Sequence, residues 1–182
     1  MKQASSPREF IPVGIAVLTV SDTRNLRDDR SGEILASRIG EAGHLLRDRR
    51  IVRDEVDAIQ AQLREWIDNE EIEAIITTGG TGFTGRDVTP EAAEALFDKR
   101  MDGFSAIFHR ISFDKIGTST IQSRVTAGLA ETTFIFCLPG SPGACKDGWD
   151  GILAQQLDYR HMPCNFVEIM PRLDEHLKRQ KS

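Results

Sequence analysis

Ala74-Ile-Ile-Thr-Thr-Gly-Gly-Thr-Gly-Phe-Thr-Gly-Arg-Asp-Val-Thr-Pro90 runs from a short apolar segment, through a glycine-rich loop, into a helix start. Residues 74–78 are apolar or β-branched and stop abruptly at Gly79-Gly80, as a short buried strand does. Thr89-Pro90-Glu91 reads as a helix N-terminus: Thr89 as cap, Pro90 in the first turn, Glu91 favourable to the dipole. The same strand–loop–helix grammar recurs outward in both directions. Val13-Gly-Ile-Ala-Val-Leu-Thr-Val20 is apolar on both faces, as in a central parallel strand, and Ser31 is read as the cap of a helix carrying Ile34, Leu35, Ile39 and Ala42. A weaker strand is expected over His44 to Val52. The next helix carries Val56, Ile59, Leu63, Trp66 and Ile67 at helical spacing. Thr132 to Leu138 is the last clear strand and ends at Pro139-Gly140. Strands alternating with helices imply an α/β domain, with helices on both faces of a mostly parallel sheet.

In such sheets ligands bind outside the carboxyl ends of the strands. Three loops there have unusual content: Ser21-Asp22-Thr23, the glycine loop from Thr78 to Pro90, and Pro139-Gly-Ser-Pro-Gly143. These loops are expected to converge on one side of the sheet.

The 182 residues suit one domain, here placed at residues 10–170 with tails at 1–9 and 171–182. The formal net charge of −5 gives no general field for nucleic acid or an anionic membrane, so a phosphorylated ligand must be held by local groups. Cys137, Cys145 and Cys164 make an odd number without a close pair. That speaks against a disulfide framework and a zinc site and fits a reducing cytoplasm. The longest apolar stretch, Ile11 to Leu18, is far short of the ~20 residues of a membrane helix, and Ser21-Asp22-Thr23 stands where a secretory cleavage site would be.

Gly79, Gly80, Gly82 and Gly85 let the backbone approach an anion closely. Gly80-x-Gly82-x-x-Gly85 matches the dinucleotide fingerprint in form, but the helix starts too late for it. The Gly-Lys-Ser/Thr ending of a Walker loop is missing. A plain connecting turn is the alternative, set against the donors and charges of Thr78, Thr81, Arg86 and Asp87. Arg86 suits a phosphate, and Asp87 suits Mg²⁺, a hard cation that prefers carboxylate and phosphate oxygens; a surface ion pair is the alternative. Ser141 reads as a cap with Pro142 in the first turn, either a second anion-friendly loop or simply a well-capped helix.

The sequence resembles the MoaB/MogA family of molybdenum cofactor biosynthesis proteins. The resemblance rests on Thr77-Thr-Gly-Gly-Thr-Gly82, Arg86-Asp-Val-Thr-Pro-Glu-Ala92, Ile116-Gly-Thr-Ser-Thr-Ile-Gln-Ser-Arg124, Ala127-Gly128, Leu138-Pro-Gly-Ser-Pro142 and Ile15-Ala-Val-Leu-Thr-Val-Ser21. It spans Phe10 to about Phe166. Phe10-Ile-Pro12 and Pro163-Cys-Asn-Phe166 resemble the MoaB branch more than the MogA branch. It implies a three-layer α/β/α domain in a trimer or hexamer, and a cytoplasmic enzyme that moves AMP from ATP onto molybdopterin with Mg²⁺. It further implies that Asp87 and Asp54 are catalytic and metal-binding, that Gly79, Gly80, Thr81 and Gly82 line the phosphate site, and that Ser123 lies in the pterin region. Thr78, Arg86, Pro139, Gly140 and Ser141 would complete the site, bordered by Ser21 and Asp22. Other enzymes of the pathway are possible partners.

Asp54 could cap the helix carrying Val56 and Ile59. The branch contains members that lack the acids and do not catalyse the transfer, so a non-catalytic molybdopterin-binding or scaffold protein is the second reading. A dinucleotide-dependent oxidoreductase and a nucleotide-binding domain of the competence-damage type are others. Cys145 lacks a nearby histidine and is not read as a nucleophile; Cys137 reads as core. His44, His109, His161 and His176 lack metal-ligand spacing. Phe104, Ile107, Phe108 and Ile111 form a stripe suited to a core or a subunit interface.

Overall fold

The computed structural model describes residues 8–175; residues 1–7 and 176–182 of the expected tails, with His176, lie outside them. Six strands form one sheet in the order β2-β1-β3-β6-β5-β4. They are β1 (Gly14–Val20), β2 (Leu45–Val52), β3 (Ala74–Thr78), β4 (Lys99–Arg100), β5 (Thr126–Ala130) and β6 (Thr133–Leu138). The first four in sheet order are parallel, and β5 and β4 add an antiparallel edge. Both edges resist further pairing: β4 is two residues long, and β2 carries a charged run from Arg47 to Arg50.

The apolar alternation of β1 assigns its side chains to two cores. Ile15 and Val17 pack with Leu35 and Ile39 of α1 (Arg30–Glu41) and Phe104 and Phe108 of α4 (Asp102–Ile116). Ala16, Leu18 and Val20 face Ile59, Leu63 and Trp66 of α2 (Val56–Ile67) and Ala92 and Ala93 of α3 (Thr89–Glu94). The first core also takes in Cys145 of α5 (Pro142–Gly148) and the π-turn Trp149–Leu153. Three layers, α/β/α, result.

Two expected caps are corrected. Asp29, not Ser31, caps α1: its Oδ1 accepts from Gly32 N at 3.0 Å, while Thr19 Oγ1 donates to Oδ2 at 2.7 Å. Ser31 lies inside the helix and donates from Oγ to the Gly140 carbonyl at 2.7 Å. Thr89 does not cap α3 through its side chain; its hydroxyl donates to the Gly79 carbonyl at 2.9 Å, back into the glycine loop. Ser141 caps α5 as read, accepting from Ala144 N at 3.2 Å. In the stripe of α4, Phe104 and Phe108 are core, whereas Ile107 is 51% exposed.

From β1 the chain crosses to β2 on one side and returns to β3 on the other, so β1 and β3 flank a topological switch point. Loops leaving two such strands diverge and open a crevice between them.

Candidate functional site

The crevice is a cleft of about 660 Å³ at the carboxyl ends of β1, β3 and β6. Ser21, Arg24, Gly79–Gly82 with Asp87, Ser123, and Pro139–Ser141 are among its walls. The expected convergence of the three loops holds. A Cβ on Gly140 would lie 3.2 Å from Gly79 Cα, and Gly79 N donates to the Leu138 carbonyl at 3.1 Å. The approach is this close because both positions lack side chains.

Both acids meet the glycine loop. A Cβ on Gly80 would stand 2.8 Å from Asp54 Oδ1, and one on Gly82 would stand 2.7 Å from Asp87 Oδ2. Asp87 is on the loop itself, and its Oδ2 accepts from Thr84 N at 2.8 Å and Thr84 Oγ1 at 2.6 Å. Partial burial pushes its pKa up, but these bonds, a Gly82 amide and the positive charge of Arg124 outweigh that and hold it below the usual carboxylate value. Asp54 does not cap α2: Glu55 holds the N-cap position, and the helix has no side-chain cap. Its Oδ1 instead accepts from Val88 N at 3.2 Å, across 34 residues. Burial, with repulsion from Asp87 and Asp22, raises the Asp54 pKa. One acid is thus held ionised, and the other carries a charge that its surroundings disfavour.

That asymmetry has a consequence for stability. A carboxyl whose folded pKa lies above its unfolded value weakens the fold once ionised. The penalty is present above the folded pKa and gone below the ordinary value of 3.8. In metal-free protein, Asp54→Asn is therefore expected to melt at or above the parent's midpoint at pH 7, with the gap closing as the pH falls toward 4. A variant less stable than the parent at pH 7 would show that the Asp54 charge supports the fold.

The other expected site residues divide into those that line the cleft and those that brace it. Ser21, Gly79, Gly80, Thr81, Gly82, Ser123, Pro139, Gly140 and Ser141 line it. Thr78 is buried behind it, donating from Oγ1 to the Pro139 carbonyl at 2.9 Å. Arg86 turns to Asp22, not to its neighbour Asp87, in a two-pronged pair at 2.8 and 3.0 Å. Asp22 is held below its usual pKa chiefly by that pair, and its Oδ1 also accepts from Asp54 N at 3.2 Å. Asp22 and Arg86 thus tie together the loops that follow β1, β2 and β3.

Sequence reasoning missed two arginines. Arg24 lines the cleft and donates to the Gly140 carbonyl at 3.2 Å; its signal was a basic residue three positions past Ser21, in a loop already suspected. Arg124 reaches back to the glycine loop from 42 residues away, and no spacing rule could have connected them. Cys145 is fully buried and its thiol is pushed up to about 11 by burial, the opposite of an activated nucleophile. Burial likewise pushes the core thiol of Cys137 up to about 12. Among the described residues no group of three or more His, Cys, Asp or Glu side chains could hold a metal, and no helix is long and apolar enough to cross a membrane. Two carboxylates are a small donor set. It fits Mg²⁺, which is commonly bound through one or two carboxylates with the remaining ligands from substrate phosphates and water.

Fold and cleft together define a three-layer α/β domain whose switch point opens into a polar, glycine-walled cleft lined by the Asp87 carboxylate, with Asp54 against the backbone of Gly80 in the same loop. The chain belongs to the molybdenum cofactor biosynthesis family: residues 16–159 match the domain described as a probable molybdopterin binding domain. It is 48% identical over 166 residues to molybdenum cofactor biosynthesis protein B of Escherichia coli strain K12, covering 91% of this chain and 96% of that one. A crystal structure of a molybdenum cofactor biosynthesis protein B matches with a TM-score of 0.81 at 32% identity, over 94% of this chain and 99% of that one. The tungsten cofactor synthesizing protein MoaB from Pyrococcus furiosus matches with a TM-score of 0.73 at 32% identity, over 79% and 92%. These relatives agree with the resemblance to the MoaB branch.

Proposed function

We propose that this protein acts in molybdenum cofactor biosynthesis as a Mg-ATP-dependent molybdopterin adenylyltransferase. The observation that carries the reading is the placement of both acids against one glycine loop, Asp87 in the wall of the switch-point cleft and Asp54 beside Gly80. Asp54 carries a charge that burial and the neighbouring Asp87 and Asp22 disfavour, a cost that a bound cation would relieve.

In this reading a terminal phosphate oxygen of molybdopterin attacks the α-phosphorus of ATP. The new P–O bond forms as the bond to the bridging oxygen breaks, and its electron pair leaves on pyrophosphate. A phosphate monoester has its second pKa near ~6 and is mostly dianionic at neutral pH, so no general base is needed. The chain's contribution is positioning and charge neutralisation. Gly79, Gly80, Thr81 and Gly82 admit the phosphates close to the backbone. Arg24 places a cation on the opposite wall beside Gly140. Asp54 and Asp87 would hold Mg²⁺, which when bound supplies neutralising charge to the phosphates. Ser123 and the Pro139–Ser141 loop form the remaining wall for the pterin.

The assay is transfer of AMP from ATP to molybdopterin with Mg²⁺, read as adenylylated pterin and pyrophosphate. Transfer that requires both Mg²⁺ and pterin is expected. A protein that binds molybdopterin but transfers nothing at saturating Mg-ATP would replace this reading with the non-catalytic one. We further propose that the protein assembles as a trimer or a hexamer. Ile107, Phe113, Ile116 and Ile121 expose apolar side chains along α4 and the turn after it, and light scattering at micromolar concentration should exclude a monomer.

A further inference from the structure

The carbonyls of the glycine loop are held almost one by one from outside the cleft. Gly79 O accepts from Thr89 Oγ1 at 2.9 Å and Gly80 O from Thr89 N at 3.0 Å. Thr81 O accepts from Arg124 N at 2.8 Å. The Arg124 guanidinium then takes two more: Nε donates to Gly82 O at 2.7 Å and Nη2 to Asp87 O at 2.6 Å. A peptide plane points its C=O and the following N–H in opposite directions. Fixing the Gly79 and Gly80 carbonyls outward therefore turns the Gly80 and Thr81 amides the other way, and both residues line the cleft. Fixing Thr81 O does the same for the Gly82 amide, which meets the Asp87 carboxylate.

Gly82 and Asp87 are the two ends of the turn that carries Thr84, whose backbone and hydroxyl hold the Asp87 carboxylate. The guanidinium bridges those ends. It is three-quarters buried, forms an ion pair with Glu91 through Nη1, and lies over the Phe83 ring at 5.5 Å. A planar fork with fixed donor directions suits two carbonyls at once; a lysine ammonium is a point charge on a flexible stem.

We infer that Arg124 is a positioning residue: it clasps the Gly82–Asp87 turn shut, so that the Asp87 carboxylate and the loop amides hold a fixed geometry toward a nucleotide phosphate. This inference rests on the adenylyltransferase reading for its ligand but not for its geometry.

The test compares Arg124→Lys and Arg124→Gln with Glu91→Gln, which removes the ion pair and leaves both carbonyl contacts. Mg-ATP and Mg-pyrophosphate binding are measured by calorimetry, and exchange of the Thr84, Asp87 and Thr89 amides by NMR. Both Arg124 variants should weaken Mg-ATP binding about 10–100-fold, the usual effect of removing a group that orients a metal ligand. KM for Mg-ATP should rise by the same factor. Lysine should not rescue, and Glu91→Gln should bind Mg-ATP as the parent does, well short of that loss of about 10–100-fold. The three amides should exchange faster in the Arg124 variants while those of β3 do not change. Parent-like binding by Arg124→Lys would show that charge alone suffices and overturn the clasp. So would unchanged amide exchange, or a Glu91→Gln variant as impaired as Arg124→Gln. If the parent itself bound neither probe, the adenylyltransferase reading would fall, and amide exchange would still decide whether Arg124 holds the turn.

Discussion

Asp87→Asn should lower Mg²⁺-dependent AMP transfer by on the order of 10²–10³ and leave the fold intact. The carboxylate makes its bonds to Thr84 through one oxygen, Oδ2. An asparagine amide oxygen can accept the same two bonds, so the Thr84 contacts that shape the turn are kept, with a weaker contact to the Gly82 amide. What disappears is the charge. Asp87 is the acid whose surroundings favour ionisation, through Thr84, the Gly82 amide and Arg124 despite partial burial. The parent therefore presents a standing negative charge at working pH, and without it a cation on the triphosphate loses a ligand. Turnover and the thermal midpoint should be measured on the same preparations. A variant as active as an active parent would remove Asp87 from the mechanism, whereas equal losses of activity and stability would make it a structural residue.

The parts of this arrangement that were legible in the sequence are those decided within a few residues. β1 and β3 are apolar on both faces because both faces are covered, and runs such as Val13 to Val20 declare that directly. Ser141-Pro142 is a cap because nothing competes with it locally. Where neighbours compete, local reading failed. Asp29 and Ser31 can both cap α1, and the choice is made by Thr19 and Arg49, which reach Asp29 from β1 and β2. The antiparallel pair of β4 and β5 was not foreseen, because Lys99-Arg100 and Thr126-Ala-Gly-Leu-Ala130 carry too little pattern to announce strands. At the site the same division holds. The glycines, Ser21 and the Pro139 loop could be found as strand-end content. The partners of Asp54, Asp22 and Arg86 could not, because their bonds cross between loops 32 to 64 residues apart.

Gly79→Ala should be the most damaging single methyl group in the cleft, for the fold and the site together. Gly79 has φ of +102°, which side chains rarely tolerate. Strain of this kind costs about 1–3 kcal/mol. The added Cβ would also fall inside contact distance of the Val20 carbonyl oxygen. That oxygen ends β1, where Val20 pairs with Val52 of β2 and the preceding Thr19 with Thr78 of β3, so it cannot retreat without disturbing the ends of those strands. Movement of Gly79 the other way is blocked by the Pro139–Gly140 loop, which its own N–H joins through Leu138. Gly85 is the control within the same loop: its φ is not positive, and a Cβ there meets nothing within 4 Å. Gly85→Ala should leave stability unchanged or slightly raised, since alanine restricts the unfolded chain more than glycine does. Urea unfolding of both variants, with Mg-ATP binding measured alongside, separates the two cases. Equal stability of Gly79→Ala and Gly85→Ala would mean that the loop can relax away from β1. The close contact of the three loops would then follow from some other feature than the missing side chain at Gly79.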